Sequence, residues 1–224
     1  VTARRASDRP APRRESAEKR WYEAGIKDLD AERLYYQEET KRLRYERMER
    51  DTGPRGRREY DFAEDVERES AAELIYQLSE WVSESASPIL VRINTPGGDE
   101  TAGLAIVDFI RSLSVQVDTL GMGEVASMGS VLLQAGDTRY LQPSCVMLIH
   151  ESRTFGQDAP VMEKLTDMKS RVRLGDMLER RSNELLAERS VFSDADELAY
   201  HYAASDWWLA ADEAIALGFA DAIW

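Results

Sequence analysis

The chain has 224 residues, 43% of them hydrophobic and 32% charged, enough apolar side chain for one domain with an appendage beneath a very polar surface. Its 29 Lys and Arg stand against 42 Asp and Glu, a formal net charge of -13, which argues against a protein that tracks nucleic-acid phosphates. A single cysteine, Cys145, excludes an internal disulfide framework and a Cys-based zinc site, and two histidines, His150 and His201, disfavour a His-rich metal site. No metal or cofactor is implied.

The charge is unevenly spread. Residues 1–60 hold 17 Lys and Arg and 13 Asp and Glu, a net of +4, whereas residues 61–224 hold 12 and 29, a net of -17. Such asymmetry marks an arm attached to a globular body. Val1 to Arg20 contains no apolar h-region. The most apolar later stretch, Leu120 to Ala135, is too short for a bilayer and carries Glu124, so a soluble cytoplasmic protein is expected.

Residues 1–15 are rich in Arg, Pro and Ala and are expected to be disordered. Ser16 to Arg50 reads as helix. Tyr22, Leu29, Tyr36 and Leu43 recur every seven residues without a matching second row, so a partner contact and a charged helix in solvent both stay open. Asp51 to Gly56 is a break rich in turn residues. The expected division is a charged arm over 1–58 and a body over 59–224. The arm is expected to dock weakly on the acidic body and to serve assembly or partner choice rather than bond cleavage.

In the body, Glu59 to Ala63 reads as a short strand, and Ala71, Leu74, Ile75, Leu78, Trp81 and Val82 follow helical spacing. Pro88 to Ile93, a short β-branched run, predicts a buried strand. Thr101 to Leu113 is an apolar helix, Val115 to Leu120 a strand, and Ala126 to Ala135 a second buried helix. Thr138 to Leu141 and Val146 to Ile149 are strands separated by Pro143. A long helix over Pro160 to Glu188 comes next, then one near Ala195 to Ala204, a helical turn over Asp212 to Leu217 and a last strand over Phe219 to Ile223. This alternation predicts βαβ units and a largely parallel sheet.

Three segments at strand ends carry candidate chemistry. Asn94-Thr-Pro-Gly-Gly98 is either a tight turn or a cradle in which backbone N–H groups face an anion unobstructed. Its spacing is not a dinucleotide fingerprint. Gly123-Glu-Val-Ala-Ser-Met-Gly129 puts Ser127 at a strand-to-helix junction, where a serine either caps the helix or acts as a nucleophile beside unpaired N–H groups. His150 ends an apolar strand, as a structural residue or as a base. A nucleophile needs a base, and the base an orienting carboxylate. Asp206, read as ending a helix just before Trp207-Trp208, suits that third role, although residue logic alone does not select it among the acidic residues of the body. His201, between Tyr200 and Tyr202 in a predicted helix, reads as a surface or packing residue.

These residues stand in the segments INTPGGDETAGLAIVDFI, GEVASMGSVLLQAG, VMLIHE and DWWLAADEAIALGFADAI. In order and spacing they resemble the ClpP peptidases, the proteolytic subunits of the Clp machine, from about Glu59 to Trp224. The resemblance implies an α/β fold of the ClpP/crotonase type, a spiral of ββα units with a long handle helix. It implies a serine endopeptidase with Ser127 as nucleophile, His150 as base, Asp206 as orienting carboxylate, and the N–H groups of Gly98 and Met128 as oxyanion hole. It further implies two stacked seven-membered rings around a chamber for peptide or unfolded protein, supplied by an AAA+ unfoldase. The chain departs from the family in several places. The segment between Ser127 and His150 is shorter than is typical. The glycine-rich strand by which rings interlock is reduced to Phe155-Gly156-Gln157. Ser205 stands where an arginine normally pairs across rings. The long charged arm and the DWWLAADEA ending look more like phage relatives, some of which act on capsid or scaffold proteins.

Other readings are a crotonase-type acyl-CoA enzyme, a Ser-Lys peptidase and a non-catalytic scaffold of the same fold. Crotonases generally lack a Ser-His pair at these positions, and Lys164 and Lys169 fall in the long helix, away from Ser127. The intact Ser127, His150 and Asp206 argue against the scaffold.

Overall fold

The computed structural model describes residues 58–152, 164–203 and 205–224. The charged arm up to residue 57, Phe155-Gly156-Gln157, Pro160 and Ala204 lie outside the described residues.

The sheet begins with β1 (Arg58–Phe62) and β2 (Ile89–Thr95), which pair in parallel around the intervening α1 (Arg68–Glu84). Helix α1 forms because Ala71, Leu74 and Leu78 recur at helical spacing and turn one face inward, where all three are buried. Each such leucine contributes roughly 1.5–3 kcal/mol through lost apolar exposure. The run Pro88 to Ile93 predicts a buried strand, but β2 alternates. Ile89, Val91 and Ile93 enter the core while Leu90 and Arg92 are half-buried. The outer face is charged instead of apolar: Arg92 pairs with Glu59 at 3.2 Å and Asp61 at 2.6 Å across the strand boundary.

Helix α2 (Glu100–Ser112) starts at Asp99, whose carboxylate accepts from Ala102 N–H at 2.8 Å and Thr101 Oγ1 at 2.7 Å. Burial pushes Asp99 up, but these bonds outweigh it and leave its pKa below 3.8. The helix leads to β3 (Val117–Ala126), which is longer than the predicted Val115 to Leu120. The extension has a geometric cause. Ile93 pairs with Gly121 and Thr95 with Val125, so two steps of β2 face four of β3. The Asn94 side chain spans this bulge by accepting from Glu124 N–H at 3.1 Å. A bulge bends its strand and re-aims the residues beyond it. Before it, Thr119 to Gly121 pair with β4 (Arg139–Leu141); after it, Glu124 to Ala126 pair with β5 (Val146–Ile149).

The short α3 (Met128–Leu133), buried at every residue, connects β3 to β4. After β5 come α4 (Leu165–Ala187) and α5 (Ala195–Tyr202). Next is β6 (Trp207–Ala210), which runs antiparallel to β5 and which the hydrophobic pattern did not identify as a strand. Helix α6 (Ala211–Ala216) and β7 (Ala222–Ile223) close the chain. The main path of the sheet is β1-β2-β3-β4-β7, all parallel, which agrees with the expected α/β class. The last strand is shorter than the predicted Phe219 to Ile223, because Phe219 and Ala220 leave the ladder to fill the core. Among the described residues no helix is long and apolar enough to cross a membrane.

Candidate active site

Ser127 sits where β3 becomes α3. Its N–H continues the β3–β5 pairing by donating to Leu148 O at 2.9 Å, and its carbonyl already accepts from Ser130 N–H at 2.9 Å. Strand and helix geometry therefore meet in one residue. The cost is φ 53° and ψ -121°, and Ser127 is the one non-glycine with positive φ among the described residues. Such a conformation costs on the order of 1–3 kcal/mol and persists only where its surroundings enforce it. The side chain makes no capping hydrogen bond to α3, so the simple capping role is not what it performs here.

The turn after β2 fits against this junction. Gly97 has φ 99°, and a Cβ on it would lie 2.6 Å from Ser127 Cβ. Gly98 has φ 146°, and its Cβ would meet Val66 O at 2.2 Å. Neither position accepts a side chain. Val66 N–H donates to Gly97 O at 2.8 Å and Asp99 N–H to Val66 O at 2.7 Å, which leaves the Gly98 N–H out of that bridge. The Met128 N–H, at the first position of α3, lacks an intrahelical acceptor by helix geometry. Gly98, Ser127, Met128 and His150 all line one cavity of about 430 Å³.

His150 comes directly after β5, and its Nδ1 lies 2.6 Å from Glu151 O. A carbonyl only accepts, so this contact makes Nδ1 the protonated nitrogen and leaves the lone pair on Nε2. Asp206 does not line the cavity. It precedes β6 rather than ending a helix, since α5 stops at Tyr202. The antiparallel register ends with Ile149 paired to Trp207, so His150 and Asp206 each stand one residue beyond the last paired position. His201 lies apart from the cavity, its ring stacked on Trp207 at 5.7 Å and packed on Phe192 at 4.8 Å, which is the packing role expected of it.

The far wall comes from α4 and α5 and went unread in the sequence. It includes Arg171, Leu174, Leu178, Glu179, Ser182, Asn183 and Tyr202. Asn183 Nδ2 donates to Tyr202 Oη at 2.6 Å, and the Tyr202 hydroxyl faces Asn183 Oδ1 at 2.8 Å and Glu179 Oε1 at 3.4 Å. Burial pushes the Tyr202 phenol up to about 12. Burial also raises Glu179, helped by the charges of Glu151 and Glu100 and opposed by bonds from Ser152 N–H and Tyr202. The available signal was Ser182-Asn183, two buried polar residues where α4 turns its apolar face inward.

A family model described as Clp protease matches residues 56–224. The ATP-dependent Clp protease proteolytic subunit 2 of Tropheryma whipplei is 33% identical over 144 residues, 60% of this chain and 72% of that protein. The proteolytic subunit of Streptococcus uberis is 34% identical over 149 residues, covering 62% and 70%. Proteolytic subunit 2 of Chlamydia trachomatis serovar D is 33% identical over 156 residues, covering 68% and 71%.

Proposed function

The chain belongs to the Clp protease family, and from that membership we propose that it is a serine endopeptidase with Ser127 as nucleophile, His150 as general base and Asp206 as orienting carboxylate. The observation that carries the reading is the strained, non-capping Ser127 sharing a cavity with His150 and the Gly98 and Met128 amides. Nε2 of His150 takes the Ser127 proton as Oγ attacks the scissile carbonyl. The Gly98 and Met128 N–H groups receive the developing oxyanion, the charge such preorganised donors stabilise most. The imidazolium then passes its proton to the leaving amine, and water repeats the sequence on the acyl-enzyme. Asp206 fixes the tautomer and stabilises the imidazolium once Nδ1 turns from Glu151 O toward it. A fluorophosphonate probe should label Ser127 and leave Ser127→Ala unmarked. The hold of Glu151 O on Nδ1 favours a second reading, a non-catalytic subunit, and an unlabelled Ser127 in the assembled protein decides for it.

The proposed active form is a homo-oligomeric ring, heptameric by family resemblance, that takes unfolded polypeptide from an AAA+ unfoldase partner, through which any ATP dependence would arise. Support comes from α4, which exposes Leu165, Met168 and Val172 along one face, large apolar side chains that a neighbouring subunit would cover. Light scattering at micromolar concentration should give a multiple of the 25.4 kDa protomer; a monomer sinks the ring. The family match starts at residue 56, beside the proposed boundary between the arm over 1–58 and the peptidase body over 59–224.

A further inference from the structure

We propose that Glu179 makes the cavity selective for a lysine or arginine on the acyl side of the scissile bond. This rests on the catalytic reading of Ser127 and deepens it. A side chain beside the attacked carbonyl must enter the space that Ser127 and His150 line, and that space of about 430 Å³ has room for one long side chain. Its wall combines Met128, Leu174 and Leu178 with the Glu179 carboxylate. That combination suits a methylene stem ending in a cation.

The other carboxylates around the cavity are differently engaged. Asp99 caps α2 and accepts from Thr101. Glu100 accepts from the Ser152 hydroxyl. Glu151 is exposed and does not line the cavity. Glu179 is half-buried, the Ser152 backbone N–H donates to it, and the Tyr202 hydroxyl stands 3.4 Å from it. Among the described residues no ion pair reaches Glu179. Arg171, the arginine of the same wall, stands eight residues earlier on α4, about 12 Å along the helix axis. A carboxylate that is partly desolvated, repelled by Glu151 and Glu100, and oriented by a buried Tyr202–Asn183 pair gains most from an incoming cation.

The test uses fluorogenic peptides alike except for lysine, norleucine, leucine or glutamate at that position. Norleucine keeps the stem and removes the charge. Wild type should favour lysine over norleucine by roughly tenfold in kcat/KM, and Glu179→Gln should bring that ratio near one. Glu179→Asp should restore part of the preference, and Glu179→Arg should shift it toward glutamate. A wild-type ratio at or below one overturns the proposal. So does a Glu179→Gln variant that slows every peptide equally, because that is the mark of a merely structural role. If some peptides are cut without a lysine preference, the inference fails and the peptidase reading stands. If none is cut and the fluorophosphonate leaves Ser127 unlabelled, both fall.

Discussion

Ser127→Ala should lower kcat for a short fluorogenic peptide by on the order of 10⁶ while leaving the fold intact, since it removes one hydroxyl and nothing that α3 uses as a cap. Asp206→Asn should cost about 10⁴, the loss expected when a histidine base is held in the wrong tautomer. The two effects should not add, because nucleophile, base and orienter act as one unit. His201→Ala is the matched control. Its ring packs on Trp207 and Phe192, so kcat should change little even if stability falls. Retention of most activity in Asp206→Asn would mean that another carboxylate orients His150. Loss of activity in His201→Ala with retention in His150→Ala would reassign the base.

The reason Asp206 needs such a test lies in how local each signal is. The helical side of the Ser127 junction was legible because its causes are local: a serine followed by a glycine and a short apolar helix. The turn at Gly97 and Gly98 was legible as a place for glycine, but its partner was not. A Cβ on Gly98 collides with Val66, a residue separated from it by the whole of α1 and β2. Asp206 was chosen through the family pattern. The physical basis of its position is the register of β5 against β6, and Trp207-Trp208-Leu209-Ala210 carries too short a pattern to declare a strand by itself.

The extension of β3 was hidden for a related reason. The predicted strand stops at Leu120, yet the chain continues as strand through Gly121 and Gly123 because Asn94 holds the bulge and β5 supplies a second partner. The cavity wall from α4 and α5 was the least legible part. Its polar members, Glu179, Asn183 and Tyr202, converge from two helices across a loop, and no periodicity within either helix encodes that meeting.

Asp221→Ala should be among the most destabilising single substitutions, at about 3–5 kcal/mol, because it strands a buried charge. The Arg139 side chain is 2% exposed, and Asp221 holds its guanidinium at 2.6 Å and 3.1 Å while also accepting from the Arg139 N–H at 2.8 Å. Arg189 adds a contact to Asp221 at 2.9 Å. The third side of the guanidinium donates to Gln134 Oε1 at 2.6 Å, and Gln134 Nε2 in turn donates to Phe219 O and Ser130 O, each at 3.1 Å. The network thus ties β4 and the C-terminal turn to α3, the helix that begins just after Ser127. Arg139→Met should cost less than Asp221→Ala, since it removes the buried charge with its partner left near solvent. Denaturant midpoints at fixed protomer concentration give the comparison. Burial raises the Asp221 pKa, but the bonds from Arg139 and the charges of Arg139 and Arg189 outweigh it and set it below 3.8. The carboxylate's contribution is therefore complete above the ordinary Asp value and is lost as pH falls from there through the folded pKa. The stability gap between wild type and Asp221→Ala should narrow only in that acid range. A gap that stays constant through it, or an Asp221→Ala variant within about 1 kcal/mol of wild type, would mean that water already reaches the Arg139 guanidinium.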